Sequence, residues 1–428
     1  MSDLPPLYPA ASLPYPPNLP QYTQCAAEDE RVLTSEPSSP VVFNFTRTRH
    51  CVFKSGHLEV DLGQFPATLV HPAYGYNGVV EGAVRFRKGC SYVTEVTIKL
   101  EGTATTTASE HATVAVPTVH KTTLMSYTAT LVANDASTSG GYRCICAGTE
   151  YAFALPFPSY ISGRTKPLPP SYTAVQPGVC TQVEYYVQVD VVRKGVFRRH
   201  EVRKIPVLYL PKTRPPMQPL TELPHAFVEA LADRVSSVAL TRVWSPGGTK
   251  RWSASMEQVP TAQLLVPFPR CFTSGDPIPL GLVISCAASP ALVQMYSSCV
   301  SIKLVKRTAV VTHAQRQRNV REIVLSTAQL LRRDASQPGV ESLWYVLEAG
   351  QPGREMSWVV EGVIEVSYLI RVVLNPTQLC LPTFRKDEPV QLFTDAFDTF
   401  EIEALGGGLS EPAIGLTDLR SSRLSADL

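Results

Sequence analysis

Every second residue from Val183 onward is apolar: Val183-x-Tyr185-x-Val187-x-Val189-x-Val191. A period of two places those five side chains on one face of an extended strand, which must then be half-buried. A basic turn carrying Gly195 follows, and a second extended run ends at Ile205-Pro206-Val207. The pair reads as a β-hairpin. A lone two-stranded ribbon is marginal in water, so this hairpin has to be part of a larger sheet, and the surrounding residues must supply it.

They do so with strands. Short extended runs recur at residues 41–45, 58–62, 79–86, 92–100, 121–132 and 143–155, with Asn77-Gly78 as turn chemistry before the third. No helical periodicity separates them, which argues for antiparallel sandwiches rather than alternating βαβ units. The proline-rich stretch PKTRPPMQPL breaks the rhythm after Leu210. Beyond it, Phe227, Leu231, Val235 and Val238 fall at near-helical spacing, so a short helix is expected within residues 223–240. Extended runs resume at 264–266, 279–285, 300–311, 322–330, 361–374 and 390–393.

The chain therefore divides into a disordered Pro/Tyr-rich arm (1–38), a β-sandwich (39–211), a linker with a possible short helix (212–257), a second β-sandwich (258–402) and a disordered, polar, Gly/Ser-containing tail (403–428). The arm has too little apolar sequence to offset its ordering entropy, and its prolines favour polyproline II. The two sandwiches echo one another. Val183-x-Tyr185-x-Val187-x-Val189 aligns with Val366-x-Tyr368-x-Ile370-x-Val372, and Ile205-Pro206-Val207 with Glu388-Pro389-Val390. Earlier in each half, the segment from Asn77 to Gly82 is echoed by that from Ser274 to Pro279. Matches in the same order imply duplication.

Composition excludes several classes. Lys and Arg total 39 against 37 Asp and Glu, so no global field draws the chain to nucleic acid, and no aromatic stacking positions accompany its basic clusters. No apolar run approaches the roughly 18 residues of a membrane span. The N-terminus has neither a basic region nor an apolar core of the signal-peptide kind, so a cytoplasmic protein is expected. The ten cysteines are scattered singly apart from Cys144-x-Cys146, without the second pair or spaced histidines of a zinc site. They read as reduced thiols, and neither metal nor cofactor is expected. The Asn44-Phe45-Thr46 sequon has no secretory route to use it. Motifs of nucleophilic, phosphate-binding and zinc hydrolase sites are absent, so no enzymatic activity is expected. A hydrolase or metal enzyme with dispersed site residues is the rival from another class.

The ordered set of segments resembles the arrestin family, in its α-arrestin (arrestin-related trafficking adaptor) branch of fungal type. The residues carrying the resemblance are Gly78-Val79-Val80-Glu81-Gly82, then Val96-Thr97-Ile98-Lys99-Leu100-Glu101-Gly102, then Gly148-Thr149-Glu150-Tyr151-Ala152-Phe153-Ala154-Leu155-Pro156. Leu168-Pro169-Pro170-Ser171-Tyr172, the strand from Val183 and Ile205-Pro206-Val207 follow in family order. The likeness covers residues 41–211 well and 258–400 more weakly. It implies an all-β arrestin fold of two tandem immunoglobulin-like antiparallel sandwiches without a catalytic centre. It further implies a cytoplasmic adaptor, recruited peripherally to the plasma membrane or endosomes, that brings a WW-domain HECT-type ubiquitin ligase to membrane transporter or receptor tails. Family members engage the ligase through Pro-Pro-x-Tyr motifs, usually in the C-terminal tail, and the tail here has none. An arrestin-fold sorting or coat component acting without the ligase is the alternative.

Two motifs on the arm fit WW domains: Pro5-Pro6-Leu7-Tyr8, and the Leu19-Pro20-Gln21-Tyr22 variant. The prolines preset the polyproline II geometry that packs on an aromatic groove, and the tyrosine fills a second pocket. Two motifs on one arm gain from effective concentration. Pro169-Pro170-Ser171-Tyr172 has the same pattern but lies between core strands, where a structural role is expected. Arg193, Lys194, Arg198, Arg199, Arg203 and Lys204 cluster around the hairpin turn. They read either as a solvated tip that discourages edge pairing or as a contact for an acidic tail, a phosphorylated segment or an anionic membrane surface. A second basic group comprises Arg316, Arg318, Arg321, Arg332 and Arg333.

Overall fold

The architecture is two β-sandwiches built on one plan. It is seen in a computed structural model that describes residues 47–108, 117–133, 142–194, 200–223, 233–244, 260–312, 317–377, 381–397 and 411–417. The Pro/Tyr-rich arm and the extended run expected at 41–45 lie outside the described residues. The first half contributes β1 (Thr48–Lys54), β2 (Leu58–Pro66), β3 (Ala73–Tyr74), β4 (Val79–Phe86), β5 (Cys90–Ala108) and β6 (Thr118–Val132). It continues with β7 (Arg143–Ile145), β8 (Glu150–Pro156), β9 (Tyr172–Gln176), β10 (Val179–Arg193) and β11 (Glu201–Tyr209). One sheet runs β1-β2-β4-β8 and the other β3-β11-β10-β5-β6, with β9 also on β10 and β7 on β5.

The second half repeats this with β12 (Val235–Ala239), β13 (Thr241–Val243), β14 (Thr261–Pro267), β15 (Cys271–Thr273), β16 (Pro277–Ser285) and β17 (Val300–Thr312). Then come β18 (Gln317–Thr327), β19 (Gln329–Asp334), β20 (Val340–Glu348), β21 (Trp358–Val360), β22 (Ile364–Leu374) and β23 (Thr383–Phe393). Its sheets run β12-β14-β16-β20-β19 and β13-β23-β22-β17-β18, with β15 on β23 and β21 on β22. Among the described residues, the only parallel pairing in each sandwich is a short one, β3 on β11 and β15 on β23.

The opening run is the middle of β10, flanked by β11 and β5. Its alternating residues Val183, Tyr185, Val187, Val189 and Val191 are all at most 2% exposed and form the spine of the first core. In the duplicate, Val366, Tyr368, Ile370 and Val372 do the same for the second. The registers correspond as well: Tyr185 faces Val207 and Tyr186 faces Pro206, as Tyr368 faces Val390 and Leu369 faces Pro389. The proline recurs because its ring tolerates an extended position at which no ladder donor is required.

Several contacts hold the sandwiches together. Tyr172 and Trp358 pack edge-to-face at 5.1 Å, each touching both cores, and Gln176 Nε2 donates to the Thr308 carbonyl at 3.1 Å. Elsewhere Thr213 and Thr394 exchange hydrogen bonds between backbone amides and side-chain hydroxyls, 2.8 Å one way and 3.2 Å the other.

Three expectations need correction. The helix predicted within 223–240 does not form where it is described: Val235–Ala239 is β12, paired with β14, and residues 224–232 lie outside the described residues. Val235 and Val238 are β-branched and suit a pleated surface, and a neighbouring strand supplies the ladder that outweighs a three-residue spacing. The second sandwich therefore begins inside the stretch assigned to the linker. A helix does occur later, α1 (Pro290–Ser297), with proline in its first turn and Val293 and Tyr296 buried. Finally, part of the tail is structured. Residues 411–417 contain a 3-10 turn, Ile414–Leu416, whose Ile414 and Leu416 cover Leu69, Ala73 and Leu210 of the first sandwich. The remainder of 403–428 lies outside the described residues. Among the described residues no helix is long and apolar enough to cross a membrane.

Candidate functional site

Pro5, Pro6, Tyr8, Leu19, Pro20 and Tyr22 all lie outside the described residues, as do Arg198 and Arg199 at the hairpin tip. The internal Pro169-Pro170-Ser171-Tyr172 is described, and it serves the fold. Pro169 and Pro170 are buried. The Pro169 carbonyl accepts from the Tyr185 hydroxyl at 2.6 Å, and Ser171 and Tyr209 exchange hydrogen bonds at 2.8 and 2.9 Å. A WW groove grips exposed proline rings, and these are not exposed.

The basic hairpin is described at its base, and its cations differ in circumstance. Arg193, 16% exposed in its side chain, is held by Glu201 at 3.5 Å. Glu201 also meets His57 Nδ1 at 3.3 Å and the Ser55 hydroxyl at 3.4 Å. That carboxylate thus bridges the β1–β2 turn of one sheet to β10 and β11 of the other. Lys194 closes the β10 end through its amide, which donates to the Tyr92 carbonyl at 2.9 Å. Arg203 is exposed, and Lys204 lies 4.6 Å from the centroid of the Tyr186 ring. Register puts Arg203 opposite Val189 and Lys204 opposite Gln188, so these neighbours face opposite sides of the sheet.

Sequence reasoning missed the neighbourhood of Lys204. On the outer face of the same sheet Glu101, only 8% exposed, is ion-paired to Lys99 and, at 3.6 Å, to Lys121. Lys121 Nζ also lies 5.9 Å from the Tyr186 ring centroid. Burial pushes the Glu101 carboxyl up, but hydrogen bonds from Lys99 and Tyr186, with the charges of Lys99 and Lys121, outweigh this and hold it below the usual range. Burial and then the Glu101 hydrogen bond push the Tyr186 phenol up. Both shifts lead away from neutrality, so neither Glu101 nor Tyr186 is suited to exchange protons near neutral pH. Lys99-x-Glu101 on one strand face was the legible signal. The cross-strand Lys121 and Tyr186 were not.

The second basic group is mostly engaged. Arg318 pairs with Glu365 and Arg333 with Glu341, Arg321 donates to the Val175 carbonyl at 3.0 Å, and Arg332 stacks over Trp344 at 5.1 Å. Arg316 lies outside the described residues. Trp344 also walls a cleft of about 280 Å³ with Leu223, Val235, Leu265 and Val283, on the outer side of the β14-β16-β20 sheet. Among the described residues, no group of three or more His, Cys, Asp or Glu is placed to hold a metal ion. Cys144 on β7 and Cys146 just beyond it are exposed, and none of the described cysteines is joined in a disulfide.

The fold and this surface define a tandem β-sandwich protein with a charged outer sheet face. The chain matches no model of a known protein family, and no curated protein matches it.

Proposed function

We propose that the chain is a non-enzymatic trafficking adaptor of α-arrestin type. Its arm presents Pro5, Pro6 and Tyr8, and secondarily Leu19, Pro20 and Tyr22, to a WW-domain HECT ubiquitin ligase. Its sandwiches and the exposed cations Arg203 and Lys204 engage the acidic tail of a membrane transporter or receptor, whose ubiquitylation and endocytosis follow. The observation that supports this is the duplicated sandwich with matched registers, Tyr185 on Val207 and Tyr368 on Val390. It joins the order of the family-like segments, and the burial of the internal Pro-Pro-Ser-Tyr supports reading the motifs of the arm as the ones that dock.

The test is capture of the chain by isolated WW domains, comparing wild type with Tyr8→Ala, Tyr22→Ala and the double variant. Binding should fall sharply in Tyr8→Ala and disappear in the double variant, and unchanged binding there overturns the ligase role. The second reading, an arrestin-fold sorting component acting without the ligase, draws on the absence of Pro-Pro-x-Tyr from residues 403–428. Membrane recruitment that survives deletion of residues 1–38 favours it.

A further inference from the structure

Exposed apolar residues lie along one edge of the second sandwich. Val320, Ile323, Val324, Leu330 and Leu331 are 41%, 42%, 52%, 51% and 67% exposed. They fall on β18 and β19, which close their respective sheets and pair, among the described residues, only with β17 and β20. An edge strand offers unpaired N–H and C=O groups to any other strand, and proteins usually blunt it with charge, proline or a bulge. The duplicated fold supplies an internal comparison. In the first sandwich β6 holds the corresponding edge and is rich in threonine. Its exposed apolar residues Val119 and Tyr127 stand far apart, and two register shifts interrupt its pairing with β5. On β18 the one shift comes after Val324, leaving the apolar stretch regular.

The charges on β18 do not guard the edge, because they are turned onto their own chain, Arg321 reaching across to the Val175 carbonyl on β9 of the first sandwich at 3.0 Å and the others bonding within their sheet. Arg318 pairs with Glu365. Glu322 accepts from Arg371 at 2.8 and 3.2 Å, and Arg371 is gripped in turn by Asp387. The order of residues is nearly symmetric about Glu322: valine two residues to either side, both exposed, with Arg321 and Ile323 between.

We infer that β18 is the interface of a twofold homodimer, pairing antiparallel with β18 of a second copy in a register centred on Glu322. A closed twofold contact must be self-complementary, and this register is. It sets Val320 against Val324 of the second copy twice on the outer face, and the aliphatic stem of Arg321 against Ile323 of the second copy on the inner face. The single like-charge apposition, Glu322 on its twin, has an Arg371 guanidinium on each side. Centring on Arg321 instead opposes two arginines and sets Val320 against Glu322, and like charges directly opposite destabilise a pair. Leu330 and Leu331 extend the apolar strip along the adjoining edge. This inference does not depend on the adaptor reading.

The test is the mass of the full-length chain by analytical ultracentrifugation over a wide concentration range. Twice the 46.8 kDa chain mass is expected at high concentration, falling to one chain on dilution. Val320→Lys/Val324→Lys should remain at one chain mass throughout, with the circular dichroism of wild type and the melting of the diluted wild-type chain. Val119→Lys, the same charge on the β6 edge, should leave the dimer intact. Glu322→Cys, in a chain with Cys25, Cys144, Cys146 and Cys380 changed to serine, should oxidise to one disulfide-linked dimer. A wild-type chain that stays at one chain mass, a dimer retained in the double lysine variant, or a Glu322→Cys dimer that oxidation does not cross-link each overturns the proposal.

Discussion

Tyr185 and Tyr368 hold register-equivalent positions in the two sandwiches and give their hydroxyl hydrogens to different acceptors. Tyr185 donates to the Pro169 carbonyl at 2.6 Å, and Tyr368 donates to the Glu355 carboxylate at 2.7 Å. Glu355 is also ion-paired to Lys306 at 2.8 Å, so the second core carries a buried charged network where the first carries one neutral bond.

The two deletions should therefore differ in cost. Tyr185→Phe leaves one buried carbonyl unsatisfied, worth about 1–2 kcal/mol, whereas Tyr368→Phe removes a charge-assisted bond, worth about 2–3 kcal/mol. Tyr368→Phe also strips the acceptor from the Met356 amide. Urea unfolding of both variants checks the order, and a larger loss in Tyr185→Phe contradicts it.

Close backbone approach makes two glycines irreplaceable. A Cβ on Gly82 would stand 2.2 Å from the Asp61 carbonyl oxygen, and one on Gly102 would stand 2.4 Å from the Tyr185 ring. Gly82→Ala and Gly102→Ala should each cost about 3 kcal/mol through overpacking. Gly281→Ala meets the Leu265 side chain alone, its Cδ1 at 2.9 Å and its Cβ at 3.2 Å, and should cost less than either. Thermal melts of the three variants test the ranking.

The carboxyl of Glu101 is held below its ordinary value in the folded chain. A group depressed in this way stabilises the fold above its unfolded pKa, about 4.3 for glutamate. That contribution disappears as the pH falls through the folded value. Wild type should exceed Glu101→Gln in unfolding free energy at neutral pH, and the gap should close in acid. A gap that does not change with pH would show that Glu101 contributes by packing alone.

The hairpin cations should separate into two classes. Arg203→Glu/Lys204→Glu reverses two exposed charges, each worth about 1 kcal/mol near an anionic surface. Sedimentation with phosphatidylserine vesicles should fall on the order of 10- to 100-fold while the melting temperature stays put. Arg193→Glu sets a second carboxylate beside Glu201 and should lower the melting temperature. Equal vesicle binding by wild type and the double variant removes these residues from any membrane contact.

The strand of Tyr185 and its duplicate were legible because burial on one face writes a period of two directly into the sequence, and their shared neighbours Pro206 and Pro389 made the duplication legible too. Val235 and Val238 misled because a spacing of three fits a helix as well as an edge strand, and only β14 decides between them. The partners of Glu201, Lys204 and Glu101 were out of reach. His57, Tyr186 and Lys121 are brought to them by strand pairing and sheet stacking, and no local spacing encodes either. Pro5 to Tyr8 is the opposite case, a docking candidate read from four adjacent residues without reference to any fold.

The placement of Ile414 and Leu416 on Leu69, Ala73 and Leu210 bears on the order of synthesis. Domains generally fold in sequence as the chain emerges from the ribosome, so the first sandwich is complete about two hundred residues before its cover is made. Throughout that interval it displays an apolar patch that only a finished chain conceals. A product cut short between Leu210 and Ala413 has the strands of its first sandwich and this patch bare, a mark by which quality control can recognise it.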